Sequence, residues 1–507
     1  MAWMGCMGGK DPSAFPAGPL TTGARARRWA TATVAGLLAL SLAPAAAAAD
    51  QVSVEVVGHD DLGARGLNAG LALADHCAYV GSRGQGPIAI VDISDPARPH
   101  GVGTVPARNL TTTRELRAVP ARKLLIVLSF ALGRGGANRI DLYRWTDDCA
   151  RPAAVGAHDF GGRAPHEFFL WQDPGGARTL LFVSMFSGGR DDLQVLDVTD
   201  PAAPRVAGTW SSPTGLLHSI SIGADGRRAF LSMWTGGLLV ADASQFTTGQ
   251  ANPQLVLLTP VASRLAPLPG GNVHSAVQVP GKDLVVVTDE RYPPACPYGP
   301  ARLVDVSDPA SPRAVSTLSS PENDPATCRA SPTGTYTSHN PTIVGDLALI
   351  TWYSSGLQVF DIADATQPQR VAEYRPQGAA PGLRDQQLGA TLALTWSYPI
   401  VRDGLIYVAD IDEGLYVLRY HGPHEEQLAA VAFAEGNSNL TALRPAASPS
   451  PTAASGSPVP SPAVPAVRPA ARSAAGTPWP AIAAAGLIAL AAVAAGAVLA
   501  LRRIMQR

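Results

Sequence analysis

Four histidines share a local setting. Pro165-His166-Glu167, Leu217-His218-Ser219, Val273-His274-Ser275 and Ser338-His339-Asn340 each open an apolar run. His166 and His218 are 52 residues apart, and His218 and His274 are 56 apart. Neutral imidazole suits Fe, Cu, Zn or Ni. If the four rings met, they could hold one transition-metal ion, with Fe, Cu and Zn as the candidates. Carboxylates occupy related places. Glu167 adjoins His166, Asp289 and Glu290 end one strand-like run, and Asp410, Asp412 and Glu413 end another. Glu167, Asp289, Glu290 and Asp410 are candidate catalytic residues, as general bases or as groups that orient a ligating imidazole from behind. Phe186, Trp234, Tyr292, Trp352, Tyr353 and Trp396 lie near them in the pattern and could line a ligand pocket. Each has a plainer reading. Duplication can copy a histidine whose work is to hydrogen-bond a backbone carbonyl. Loop carboxylates are commonly solvated, and aromatic rings commonly fill the space between repeats.

The elements that carry these residues repeat. Residues 86–99, 192–204, 301–312 and 356–368 superpose as an alternating apolar run, an Asp, an apolar residue and a second Asp, with Pro following the second Asp in the first three. Residues 236–242 form a shorter copy, and 139–143 and 414–418 degenerate ones, which makes seven. Period-two alternation closed by an Asp-Pro turn indicates strands. The apolar strand, Asp, apolar residue and Ser-Asp-Pro resemble the LVIVD repeat over residues 50–421. The resemblance implies a β-propeller of a kind mostly exported from bacteria. It does not imply an activity.

The residues support the same architecture. Each copy holds about four strand-like runs, enough for one four-stranded propeller blade. A lone blade cannot bury both faces, so blades must stack. The last copy, over 396–420, supplies only three runs, and residues 52–58 (Val-Ser-Val-Glu-Val-Val-Gly) offer the missing outer strand. The expected fold is an all-β, seven-bladed β-propeller whose N-terminal strand closes the last blade, followed by a C-terminal transmembrane helix. A short helix is expected within 424–434. Two propeller families, the carotenoid-cleaving oxygenases and the selenium-binding proteins, use histidine metal ligands. The architecture and ligand type here are similar to theirs, without their sequence motifs.

Antiparallel blades sort the loops onto two faces. The starts of the inner strands and the ends of the second strands share one face, which therefore carries the histidines. Cys296 and Cys328 fall on that face, and Cys77 and Cys149 on the other. This favours bridges Cys77–Cys149 and Cys296–Cys328, because a disulfide needs close Cα atoms; buried free thiols are the alternative.

The two ends of the chain concern export. Residues 1–49 read as a leader, with Arg25, Arg27 and Arg28 before an apolar run and small residues ahead of Asp50. General secretion or the twin-arginine route would both fit. Residues 422–478 comprise the short helix and a Pro/Ala/Ser-rich stalk. Residues 479–501 form an apolar run of membrane-spanning length. The basic tail, 502–507, is placed in the cytoplasm by the positive-inside rule. The propeller would then be extracellular on a single-pass anchor. A net charge of −1, with 16% charged residues, excludes a typical nucleic-acid binder. No phosphate loop, nucleophile elbow or Cys-x-x-Cys pair occurs. Two functions fit: a cell-surface module that binds an extracellular ligand or protein through the histidine face, or a metal-dependent oxidase or oxygenase.

Overall fold

The doubled aspartate of the repeat has a direct structural use. Asp92 accepts the Ser94 N–H at 2.7 Å and Asp95 the Ala97 N–H at 3.1 Å. Asp197 and Asp200 treat Thr199 and Ala202 alike, and Asp305 and Asp308 treat Ser307 and Ala310 alike. Each carboxylate thus makes an Asx turn, and the proline after the second has no N–H to satisfy. The turn sends the chain from the third strand of a blade into the outer one.

The computed structural model describes residues 52–444, apart from 186–189, 293–295, 332, 378–387 and 389–391. Six four-stranded antiparallel sheets follow in chain order, and a seventh sheet combines both ends of the described chain. The third blade, for example, comprises Pro165–Gln172, Thr179–Met185, Leu193–Asp197 and Arg205–Trp210. In the seventh, Ile400–Arg402, Leu405–Asp410 and Gly414–His421 are completed by Ser53–Asp60, which pairs antiparallel with the last of them. The chain is therefore an all-β, seven-bladed propeller closed by its N-terminal strand, as the sequence predicts.

Each interface between neighbouring blades has its own apolar cluster, including the closing one, where Leu71, Val80 and Val91 of blade one meet Tyr407 and Val417 of blade seven. Burial of these side chains contributes about 1.5–3 kcal/mol each relative to exposure. The closing contact is tight. A Cβ at Gly58 would collide with the Pro96 carbonyl in the Asp-Pro turn of blade one, and one at Gly156 would do the same to Pro201 in blade three. Both expected disulfides are present, each with Cα atoms 6.0 Å apart, and each staples adjacent blades.

The segment after blade seven differs from the expectation. Only Glu425–Ala429 is helical. Val431–Glu435 is a strand that pairs with the axial side of Ile400–Arg402, and Thr441–Leu443 folds back on it. The propeller therefore extends past His421. The tip of this hairpin crosses to blade three. Leu170 N–H donates to Asn437 O at 3.1 Å, and Asn439 N–H to Leu170 O at 3.2 Å. The Asn439 side chain binds both backbone groups of Gln172. Ala-rich, alternating residues 431–435 suit either a helix or a strand locally. The open edge of the inner strand decides the outcome, because its unpaired backbone groups need partners. The hairpin occupies the end of the channel opposite the histidines.

Among the described residues, no helix is long and apolar enough to cross a membrane. The expected leader, stalk, span at 479–501 and basic tail lie outside the described residues.

Candidate functional site

Inner strands converge on the axis, so residues at their shared starting register must meet there. The four imidazoles do. Ring centroids are 4.2 Å apart from His166 to His218, from His218 to His274 and from His274 to His339. Trp234 stacks on His218 at 4.6 Å, and Trp396 lies 5.1 Å beyond His339. His218, His274 and His339 are buried, and His166 is partly exposed at the rim of the mouth.

The hydrogen bonds orient the rings. His218 Nδ1 donates to the His274 carbonyl at 3.1 Å, and His339 Nδ1 to the Trp396 carbonyl at 2.9 Å. A carbonyl can only accept, so Nδ1 carries the proton and Nε2 keeps its lone pair. His274 Nδ1 is 2.7 Å from Ser275 Oγ, which in turn meets the Tyr398 hydroxyl. The Nε2 atoms of His166, His218 and His274 turn inward. His166 Nε2 lies 2.8 Å from His218 Nε2 and, given the lone pair there, is the donor. His274 Nε2 is 3.8 Å from Glu167 Oε1 and 3.9 Å from Glu290 Oε2. The Oε2 atoms of Glu167 and Glu290 are buried with no hydrogen-bond partner among the described residues. Ligand atoms of His166, Glu167 and His218 lie within 4.8 Å of one another, as do those of His218, His274 and Glu290. His339 belongs to neither set.

Burial dominates the electrostatics. It pushes His218 down to about 3 and the other three imidazoles well below their usual value, keeping the rings neutral. It also raises Glu167 to about 8 and Glu290 to about 7. Glu115 adds to the effect on Glu167, while the Tyr353 hydroxyl, hydrogen-bonded to Glu290, opposes it there.

The other candidates separate cleanly. Asp289 is spent on Arg302, at 2.7 and 3.0 Å in a bidentate pair. Asp410 accepts the N–H groups of Asp412 and Glu413 and the Thr395 hydroxyl, forming a turn. Trp352 is 0% exposed within the cluster between blades five and six, so it packs the core and lines no pocket. Tyr292 is 41% exposed and hydrogen-bonds Glu290. Tyr353 is buried against His339. Phe186 lies outside the described residues. A cleft of about 560 Å³ beside the Cys296–Cys328 bridge is lined by Arg291, Tyr298 and Asn323 and involves none of the imidazoles.

Below the histidines the axis stays polar. Glu115 and Arg117, both buried, pair at 3.4 Å, and Arg117 reaches the Asn437 carbonyl of the hairpin. Glu435 is buried beside it. Sequence reasoning missed this column. The available signal was two charged residues, Glu115 and Arg117, two apart on an inner strand and hence on one face.

Residues 69–106 match the family model described as the LVIVD repeat. Blade one is an LVIVD repeat. The matched residues run from its inner strand through the Asp-Pro turn to its outer strand. No curated protein is detectably similar to the chain in sequence. Many solved structures resemble it in three dimensions. Raptor from Chaetomium thermophilum is 13% identical with a TM-score of 0.47, over 74% of this chain and 30% of that one. A protein from Lactobacillus plantarum is 12% identical with a TM-score of 0.42, over 61% and 85%. The C-terminal WD40 domain of Sif2 is 10% identical with a TM-score of 0.44, over 73% and 99%. The chain thus spans less than a third of the Raptor chain. Likeness at this level says nothing about what this chain binds.

Proposed function

We propose that this protein is an exported, membrane-anchored propeller that binds one transition-metal ion, Fe, Cu or Zn, at the axial mouth, and through that face an extracellular ligand or partner. One observation carries the reading. Nδ1 of His218 and His339 is locked outward on carbonyls, while Nε2 atoms and two unpartnered carboxylate oxygens converge inward. Outward hydrogen bonds of this kind are the usual support of ligating histidines. A structural network would have spent those two carboxylate oxygens on partners. His166, His218 and His274 would be ligands, with Glu167 or Glu290 beside them. His339 would complete the arc or support it. Replacing the single proton shared by His166 and His218 with a cation would make both rings ligands. The leader and the 479–501 run support export and anchoring.

Metal analysis of the purified full-length protein tests this. About one Fe, Cu or Zn per chain is expected, lost in the His218→Ala, His274→Ala double variant. A wild-type protein that stays metal-free after incubation with each ion would sink the proposal.

A second reading, a metal-dependent oxidase or oxygenase, is favoured by Glu290. Its carboxyl lies within 4 Å of His274 and is held by Tyr353, so it could move a proton beside the centre. Catalysis needs an open coordination position. A change in the metal's spectrum on azide addition would support this reading, and an inert spectrum would favour a closed binding site.

A further inference from the structure

Arg114 immediately precedes the inner strand of blade two, near the register that blades three to six fill with histidine. Its guanidinium carbon is 5.3 Å from the centroid of the Trp396 ring and 5.5 Å from that of Phe130. A second guanidinium, from Arg83, sits 5.2 Å from the Trp396 centroid. All four imidazoles feel the charge of Arg114. Burial, and then the charge of Arg83, hold Arg114 below its usual range.

An arginine in such a place ordinarily takes a carboxylate. Three carboxylates are near enough to be influenced by Arg114, yet none hydrogen-bonds it, and each has another partner for one of its oxygens. Glu115 faces Arg117 at 3.4 Å, Glu290 accepts from Tyr353 and Tyr292, and Glu167 accepts from Ser219. No hydrogen bond or ion pair reaches the Arg114 guanidinium among the described residues; its contacts are the faces of the two rings. A guanidinium held by ring faces keeps its N–H edge for a planar oxyanion, which it binds bidentately.

We infer that the axial mouth binds a small organic carboxylate, with its oxygens on Arg114. Partly exposed Trp234 and exposed Tyr292 border the same mouth and offer walls for an apolar body. The ligand class is therefore an aromatic or branched carboxylate in preference to a bare oxyanion. The site stands on Arg114 and the rings, so it does not depend on the proposed metal centre. With a metal present, the carboxylate would also separate two like charges.

Calorimetric titration of the purified full-length protein with benzoate tests the inference. It is done before and after removal of metal by a chelator, with metal content measured each time. Benzoate is expected to bind both forms, at least about tenfold more tightly than acetate, a difference of about 1.4 kcal/mol. Arg114→Met should weaken binding at least as much, and Arg114→Lys by less, because it keeps charge without the fork. Arg264→Met, on an exposed loop, should change nothing. Melting curves check that each variant folds; if Arg114→Met does not, Arg114→Lys carries the comparison. No binding by the wild type, or wild-type affinity in the folded Arg114 variants, overturns the inference. Binding by a protein that never takes up metal upholds it and removes the metal reading. Metal uptake without benzoate binding does the reverse.

Discussion

Two positions recur around this ring: the aspartate that ends the third strand of a blade, and the histidine that opens the inner strand. Both could be copied by duplication, yet they are built oppositely. Asp197 accepts the Thr199 N–H at 2.9 Å and Arg205 at 2.7 Å, and Asp305 repeats the arrangement with Ser307 and Arg313. Both oxygens of each carboxylate are used locally. At the axis, the Nδ1 atoms are satisfied while Glu167 and Glu290 each keep a buried oxygen without a partner. Buried polar groups are normally paired, so an exception calls for an occupant or a function. Recurrence alone therefore does not separate scaffold from site, whereas hydrogen-bond satisfaction does.

The largest effect is expected where a buried charge is fully satisfied. Arg302→Met strips Asp289 of its bidentate partner at 0% exposure. It should destabilise the protein by about 3–5 kcal/mol, read by chemical denaturation, while metal content per folded chain stays unchanged. A loss under about 1 kcal/mol would mean that satisfaction in this interior has little energetic weight. The next test sets rim against axis. Asp197→Ala removes an Asx turn and an ion pair and should cost about 1–2 kcal/mol. His274→Leu, measured without metal, should cost no more than about 1 kcal/mol, because the inward nitrogen makes no hydrogen bond and Ser275 Oγ keeps the Tyr398 hydroxyl when its contact with Nδ1 is lost. If His274→Leu proves much the worse of the two, the histidines are structural. The smallest effect is a pH dependence at the rim. The Ser307 hydroxyl and N–H, followed by Arg313, hold Asp305 down to about 2. A depressed carboxylate contributes stability that is present above the ordinary value and lost as pH falls through the depressed one. Wild type should therefore lose slightly more stability than Asp305→Asn on acidification through that window. Parallel curves would remove the rim aspartates from the account.

The blades were legible because strand period, Asp-Pro turns and copy number all repeat, and one strand fewer than needed in the last copy demanded a closing strand. The histidine face was legible because register within a repeat is preserved when copies stack. Neighbouring residues were harder. Asp289 and Glu290 are adjacent on one strand and so face opposite ways; the sequence offered both as candidates. The fold turns Asp289 to Arg302 and Glu290 to the axis. Trp352 and Tyr353 are adjacent in one turn, yet the first fills the core and the second packs on His339, as its counterpart Trp234 does on His218 in blade four. The hairpin of 431–443 has no counterpart in the repeat, so nothing periodic announced it.

By itself the sequence determined the number of blades, the closing strand, the two disulfides and the face on which the histidines lie. Those follow from alternation, repetition and connectivity, which are local or count-based. Only the tertiary structure decided which nitrogen of each imidazole turns inward, which carboxylates remain unpaired, that Arg114 is left to two aromatic rings, and that a hairpin occupies the far end of the channel. These depend on atoms from several blades meeting at one axis, and the distances between blades are written in no single repeat.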